Sequence, residues 1–167
     1  MDGVDLRLPK ERKMLSKATV WKRFAAFFID IMIVQMIVIS PLSGIIEDRF
    51  KISSDWQETY KMLSSSPELL NSMVPIVAAA FFLIFAYFVA FEFKLSQTIG
   101  KMIFGIFVVP RDREKLSLVK AAIRNVAIIP FFPFTLLWII DPLYLIFTGD
   151  RLSDQISQTM VIEEVKI

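Results

Sequence analysis

The chain has no cysteine and no histidine in 167 residues. The first absence removes thiol catalysis and disulfides, and the two together remove Cys/His zinc sites. The second removes Ser/His/Asp and Cys/His triads and any imidazole proton relay. Proton chemistry in this protein has to run on carboxylates. Glycine is scarce, at five residues. The pair Gly100-Lys101 is not a phosphate loop, because no glycine stands five residues before Gly100 and Met102 follows. The formal net charge is only +2, so bulk charge predicts no nucleic-acid partner. Nothing places two acids around a substrate pocket; the expectation is a protein with no enzymatic site and no cofactor.

Apolar residues are abundant. They make up 55% of the chain, with 16 phenylalanines and a mean hydropathy of +0.57. That is more apolar surface than a water-soluble fold of this length hides, and the length suits one membrane domain over 1–167. The run Phe24 to Leu42 carries a single charge, Asp30. As a helix it reaches ~28 Å, close to the hydrocarbon thickness of a bilayer. A carboxylate there costs on the order of 2.5–3.5 kcal/mol on insertion scales, which makes Asp30 a functional candidate. The run is too long for a leader's apolar core and no Ala-x-Ala-like site closes it. We therefore expect a retained first transmembrane helix, preceded by a polar, amphipathic lead-in over 1–20 and ended by Pro41, Ser43 and Gly44.

A polar loop is expected over 45–71, with a short surface helix from Asp55 to Leu63, Trp56 and Tyr60 at the interface, and a turn at Ser64-Ser65-Ser66-Pro67. Ser72 to Phe91 is uncharged and gives a second span, with Pro75 in its first turn. Seven Lys/Arg lie in residues 1–23 and six in 94–120, against three in the loop between the spans. The positive-inside rule then places the N-terminus and the 94–120 segment in the cytoplasm and the loop outside. This is the pattern of a multi-pass protein of the cell membrane.

The third apolar region, Ala121 to Phe147, is interrupted by Arg124, Pro130, Pro133, Asp141 and Pro142. It forms either one tilted span or a hairpin of two short helices, roughly 119–129 and 134–148, since Pro130 and Pro133 break the helical ladder at its middle. The β-prone runs 105–109 and 159–162 flank it, and if they pair, both lie on the same side, which favours the hairpin. The expected fold class is thus an all-α helical membrane protein, two full spans plus a proline-broken third region (a single span or a helical hairpin), to which a small cytoplasmic β-pairing of 105–109 with 159–162 would be added.

The segment "WKRFAAFFID", with Arg23 seven residues before Asp30, resembles the opening of the RDD family of integral membrane proteins, named for one arginine and two aspartates. The resemblance continues in "SQTIGKMIFGIFVV" (96–109), "AAIRNV" (121–126) and "GDRLSDQISQTMVI" (149–162). It spans about 18–162 in family order. Ser157-Gln158 stand where the family often has Ala-Gly, and the second aspartate carries over best to Asp154, with Asp141 an additional acid. The resemblance implies a transport-related protein, some members being assigned as cation/proton antiporters, while others accompany other membrane machinery.

Two helical turns separate Arg23 from Asp30, ~10.5 Å along the axis. Helical side chains lean toward the N-terminus, so Arg23 points away from Asp30 and each needs another partner. The expected clamp is Arg23 with Asp154 and Asp30 with Arg124, with Asp141 either a helix end before Pro142 or a second acid facing Asp30. Glu92 reads as an interfacial acid beside Lys94, and Gln97, Thr98 and Lys101 as a turn at the lipid headgroups. Two functions follow. One is a homo-oligomeric carrier that binds a proton or monovalent cation at Asp30 and Asp141. The other is an accessory or scaffold subunit of a partner membrane protein, held in shape by the clamp.

Overall fold

The structure, a computed structural model, describes residues 13–50, 55–112, 114–132 and 134–166. Of the lead-in expected over 1–20, residues 1–12 lie outside the described residues, and Lys13–Lys17 forms strand β1. The first apolar run is a helix, α1 (Val20–Val34), continued by a π turn (Gln35–Ile39) and α2 (Ser40–Phe50). Pro41, Ser43 and Gly44 therefore do not end it. The π turn explains why. Pro41 has no N–H for the helical ladder and its ring crowds the carbonyl four residues back. One wide turn, with the Ser40 amide on the Gln35 carbonyl, relaxes the ladder just before the ring arrives.

The expected polar loop is correspondingly short. Trp56–Ser65 forms α3, whose N-cap Asp55 accepts from the Gln57 amide at 2.8 Å. After a break at Ser66, α4 runs from Pro67 to Leu95. The proline in the first turn is thus Pro67, and Pro75 sits inside the helix. A left-handed Ser96, with its amide on the Glu92 carbonyl, closes α4. Then come α5 (Ile99–Ile103), β2 (Ile106–Pro110), a turn, and α6 (Leu118–Arg124). The third apolar region breaks as its prolines suggested. One 3-10 turn (Val126–Ile128) and another (Phe134–Leu136) lead into α7 (Leu137–Thr148). The first arm is shorter than expected, and α7 passes through Pro142, forgoing the hydrogen bond that the ring cannot donate. Finally α8 (Leu152–Ile156) precedes β3 (Thr159–Lys166).

The fold is mostly helical but not all-α. The two β-prone runs do pair: β2 and β3 are antiparallel with Val108 opposite Val161, and β1 adds to the other edge of β3, giving the order β1-β3-β2. One face of β2 is buried through Ile106 and Val108, the alternation that a half-covered strand requires. Ile106 and Val161 pack with Ala18 and Ala26, while Val108 packs with Val89, Leu116 and Ala121. The sheet thereby gathers at one end of the molecule the start of α1, the end of α4, all of α5, the start of α6 and the end of α7. Away from this platform the long helices are little covered by the rest of the chain. The most apolar window of the first long helix (Val20–Phe50) is only 17% buried and that of α4 only 11%.

Candidate functional site

The platform is built around charge. Asp30, on the buried face of α1 with Arg23, Ala26 and Val34, is fully enclosed. Its Oδ1 accepts from the Tyr87 hydroxyl at 2.9 Å and from the Gly100 amide at 2.9 Å. Its Oδ2 accepts from the Thr98 hydroxyl at 2.5 Å. Thr98 is also the N-cap of α5, accepting from the Lys101 amide. Helix α5 can come this close because residue 100 is glycine: a Cβ there would stand 2.1 Å from the Ala26 carbonyl oxygen. Within the Gln-Thr-x-Gly-Lys run, Thr98 and Gly100 therefore cradle the Asp30 carboxylate, a role beyond the turn expected of this segment. Asp30 does not pair with Arg124, because α5 reaches it first and the guanidinium is engaged elsewhere.

That engagement centres on Glu92, which is buried rather than interfacial. Glu92 Oε2 lies 3.1 Å from Arg124 Nε and accepts from Asn125 Nδ2 at 2.8 Å, and Oε1 binds the Lys101 ammonium. Phe85, Phe88, Val89 and Glu92 follow the i, i+3, i+4, i+7 spacing of one helix face, and that spacing was the available signal for Glu92. Arg124 Nη1 continues to Asp154 Oδ1 at 2.9 Å and donates to the Thr159 hydroxyl at 3.1 Å. The structure also brings Arg23 Nη1 within 3.5 Å of Asp154 Oδ2, with Arg23 Nη2 donating to the Val161 carbonyl at 3.0 Å. Around this core, Asp150 meets Lys17 at 3.0 Å and Arg111 at 3.4 Å, and Glu163 meets Lys22 at 2.5 Å. The chain of charges runs Arg23, Asp154, Arg124, Glu92, Lys101. It returns to α1 through Gly100 and Asp30.

Asp141 does not end a helix, since α7 continues through Pro142; it lines the same cavity as Asp30, with its carboxylate held by α8. Within α7 it accepts from the Ser153 amide at 3.1 Å and the Ser153 hydroxyl at 2.6 Å, so it fixes α8 against α7. Burial is the main cause that pulls the Lys101 ammonium down to about 8. Glu92 opposes it, while Arg124 and Arg151 add repulsion.

Above the platform lies a cleft of about 660 Å³ between the first helix, α4 and the α6–α7 hairpin. Its walls are apolar, from Phe24 to Ile46 on one side, Val77 to Phe88 on another, and Ala127 to Leu145 on the third. Its charged residues, with Asn125, gather at the platform end: Asp30, Lys101, Arg124, Asp141 and Arg151. Asp30 and Asp141 thus line one space. Among the described residues no group of three acidic side chains is placed to hold a metal ion.

Comparison with curated proteins and with solved structures finds no match. A profile of the RDD family matches residues 17–158. That stretch holds every member of the charge network from Lys17 to Asp154, including Arg23, Asp30 and the Thr98–Lys101 cradle. By this match over most of its length, the chain belongs to the RDD family.

Proposed function

We propose that this protein is a multi-pass protein of the cell membrane, with its sheet platform in the cytoplasm, and that it exchanges a proton or monovalent cation at the acids of the cleft. Membrane residence is supported by two long apolar helices that leave Phe28, Met36, Ile37 and Phe82 mostly exposed. A soluble protein's core helices would be covered. A removable leader would not carry Arg23, Ala26 and Asp30 into the centre of the fold. The cytoplasmic side follows from the lysines and arginines that crowd the platform end. Meeting of the ends of α1, α4, α6 and α7 at that end supports a hairpin rather than a third full span.

The observation that carries the exchange reading is that Asp30 and Asp141, from different helices, line one cleft with apolar walls. Carboxylates in such a place mark proton and ion pathways. Few helices enclose the cleft, so this reading calls for a homo-oligomer. The deciding experiment is cation/proton exchange in proteoliposomes, wild type beside Asp30→Asn. A pH-gradient change on adding sodium or potassium, lost in the folded variant, supports exchange; no change with folded wild type sinks it for those ions.

A second reading, a non-transporting accessory subunit, is favoured by the saturation of the network. Asp30 has three donors and Glu92 has three cationic or amide partners, as a structural clamp requires. Co-purification with a larger membrane complex, with flux indifferent to Asp30→Asn, distinguishes it.

A further inference from the structure

The cleft combines apolar walls with a polar floor, and the hydrogen-bonding capacity of that floor is unevenly spent. Asp30 is occupied by Tyr87, Thr98 and Gly100, and Asp141 by Ser153. Lys101 is held by Glu92, and Arg124 by Glu92 and Asp154. Asn125 donates to Glu92 and the Ala121 carbonyl. Arg151 differs. Its guanidinium lies 5.7 Å from the centroid of the Phe27 ring, and among the described residues no carboxylate stands within ion-pair distance of it. A guanidinium offers five N–H donors in a fork that matches carboxylate and phosphate oxygens. Asp30 and Asp141 have their oxygens turned to donors of the fold, so the donor that the floor leaves unspent is the Arg151 guanidinium.

The cleft is also open at its side. Ile31, Val77 and Trp138 line it and remain substantially exposed. Its volume of about 660 Å³ falls within the range of sites that enclose a small ligand. Basic groups between helices at the cytoplasmic end of a membrane protein suit anionic lipid heads.

We propose that the cleft binds an anionic phospholipid of the cytoplasmic leaflet, with its phosphate on Arg151 and an acyl chain between the first helix, α4 and α7. The guanidinium stays over Phe27 and turns its free N–H groups to the phosphate oxygens, while the chain covers Ile31, Val77 and Trp138. The site rests on the membrane reading above but not on ion exchange.

The test is native mass spectrometry of the delipidated full chain, titrated with phosphatidylglycerol or phosphatidylcholine of the same acyl length. The wild type is expected to hold phosphatidylglycerol roughly tenfold more tightly, the size of one charge-assisted contact. Arg151→Gln is expected to abolish that preference. Lys94→Gln, an exposed charge at the same end but outside the cleft, is expected to keep it. Ala80→Phe, which fills the wall, is expected to weaken both lipids together, and it decides the matter if Arg151→Gln does not fold. Equal affinities in wild type and Arg151→Gln, or unchanged binding in Ala80→Phe, overturn the proposal. So does a dimer that persists and excludes lipid, because a second copy then fills the cleft. A preference for a free fatty acid over phosphatidylglycerol overturns the phospholipid assignment. If the chain does not integrate into a bilayer at all, the membrane reading fails first, and carbonate extraction of membranes shows that separately.

Discussion

The Gly100 amide donates to Asp30 Oδ1 at 2.9 Å, and the α-carbon behind that amide leaves no room for a side chain, because the Ala26 carbonyl occupies the space. Gly100→Ala pushes α5 off α1 and lengthens the bond to Asp30. Overpacking of this kind costs ~1–3 kcal/mol. The expected outcome is a lower thermal midpoint in detergent than for Gly44→Ala, where the added Cβ meets nothing within 4 Å. Equal midpoints for the two variants would contradict the close approach.

Asp30 accepts three bonds, so Asp30→Ala strands three donors while Thr98→Val removes one. Each buried group left unsatisfied costs about 1–3 kcal/mol. The loss in stability is expected to be largest for Asp30→Ala and smaller for Thr98→Val and Tyr87→Phe, whose hydroxyls are removed along with their bonds. Denaturation midpoints in mild detergent rank them. Thr98→Val costing as much as Asp30→Ala would mean that the cradle is not organised around the carboxylate.

Glu92 binds both Arg124 and Lys101, and its removal leaves two buried cations facing each other. Breaking a buried pair on one side costs roughly 3–5 kcal/mol. Glu92→Ala with Arg124→Ala together is expected to cost less than the sum of the single changes, because the residues share one network. Strict additivity in the double-mutant cycle would show the two to be independent.

Lys101 loses its proton at about 8, against 10.5 for an ordinary lysine. Between those values the unfolded chain holds the proton and the folded chain does not. This group's contribution to stability therefore rises as the pH climbs through that window and is at its lowest below it. In ¹³C-lysine spectra the side-chain signal that disappears in Lys101→Arg is expected to titrate near pH 8. A signal still fully protonated at pH 10 would refute it.

The absence of native cysteine makes topology directly measurable. Ser65→Cys, at the end of α3, and Lys115→Cys, between β2 and α6, are both exposed and stand at opposite ends of α4. With a membrane-impermeant maleimide on intact cells, Ser65→Cys is expected to label and Lys115→Cys only after permeabilisation. Labelling of both from outside would reverse or remove the spans.

Local composition carried much of this protein. The uncharged length of 72–91 and the single charge in 24–42 are one-dimensional properties, and they place α1 and α4 without knowledge of their neighbours. Helix breaking by Pro130 and Pro133 is equally local. The β-branched runs 105–109 and 159–162 announced themselves as strands, and the motif order identified the family. Strand β1 gave no such signal, because "KMLSK" has no β-branched residue and is recruited through its backbone by the edge of β3. The first helix runs past Pro41 for a reason equally invisible in the sequence: a π turn precedes the ring and relaxes the ladder.

Of the expected pairs the structure forms Arg23 with Asp154, while the partners of Asp30 and Arg124 were decided by tertiary structure. Sequence marks Arg23, Asp30, Arg124 and Asp154 as costly and in need of partners, but it does not set the level at which α1, α4 and α6 meet. Gly100 brings α5 under Asp30, and the sheet brings Asp154 and Thr159 beside Arg124, which leaves Glu92 as the acid that Arg124 shares with Lys101. An ion pair forms over a few ångströms between residues dozens of positions apart, so only the packed arrangement of the helices selects it.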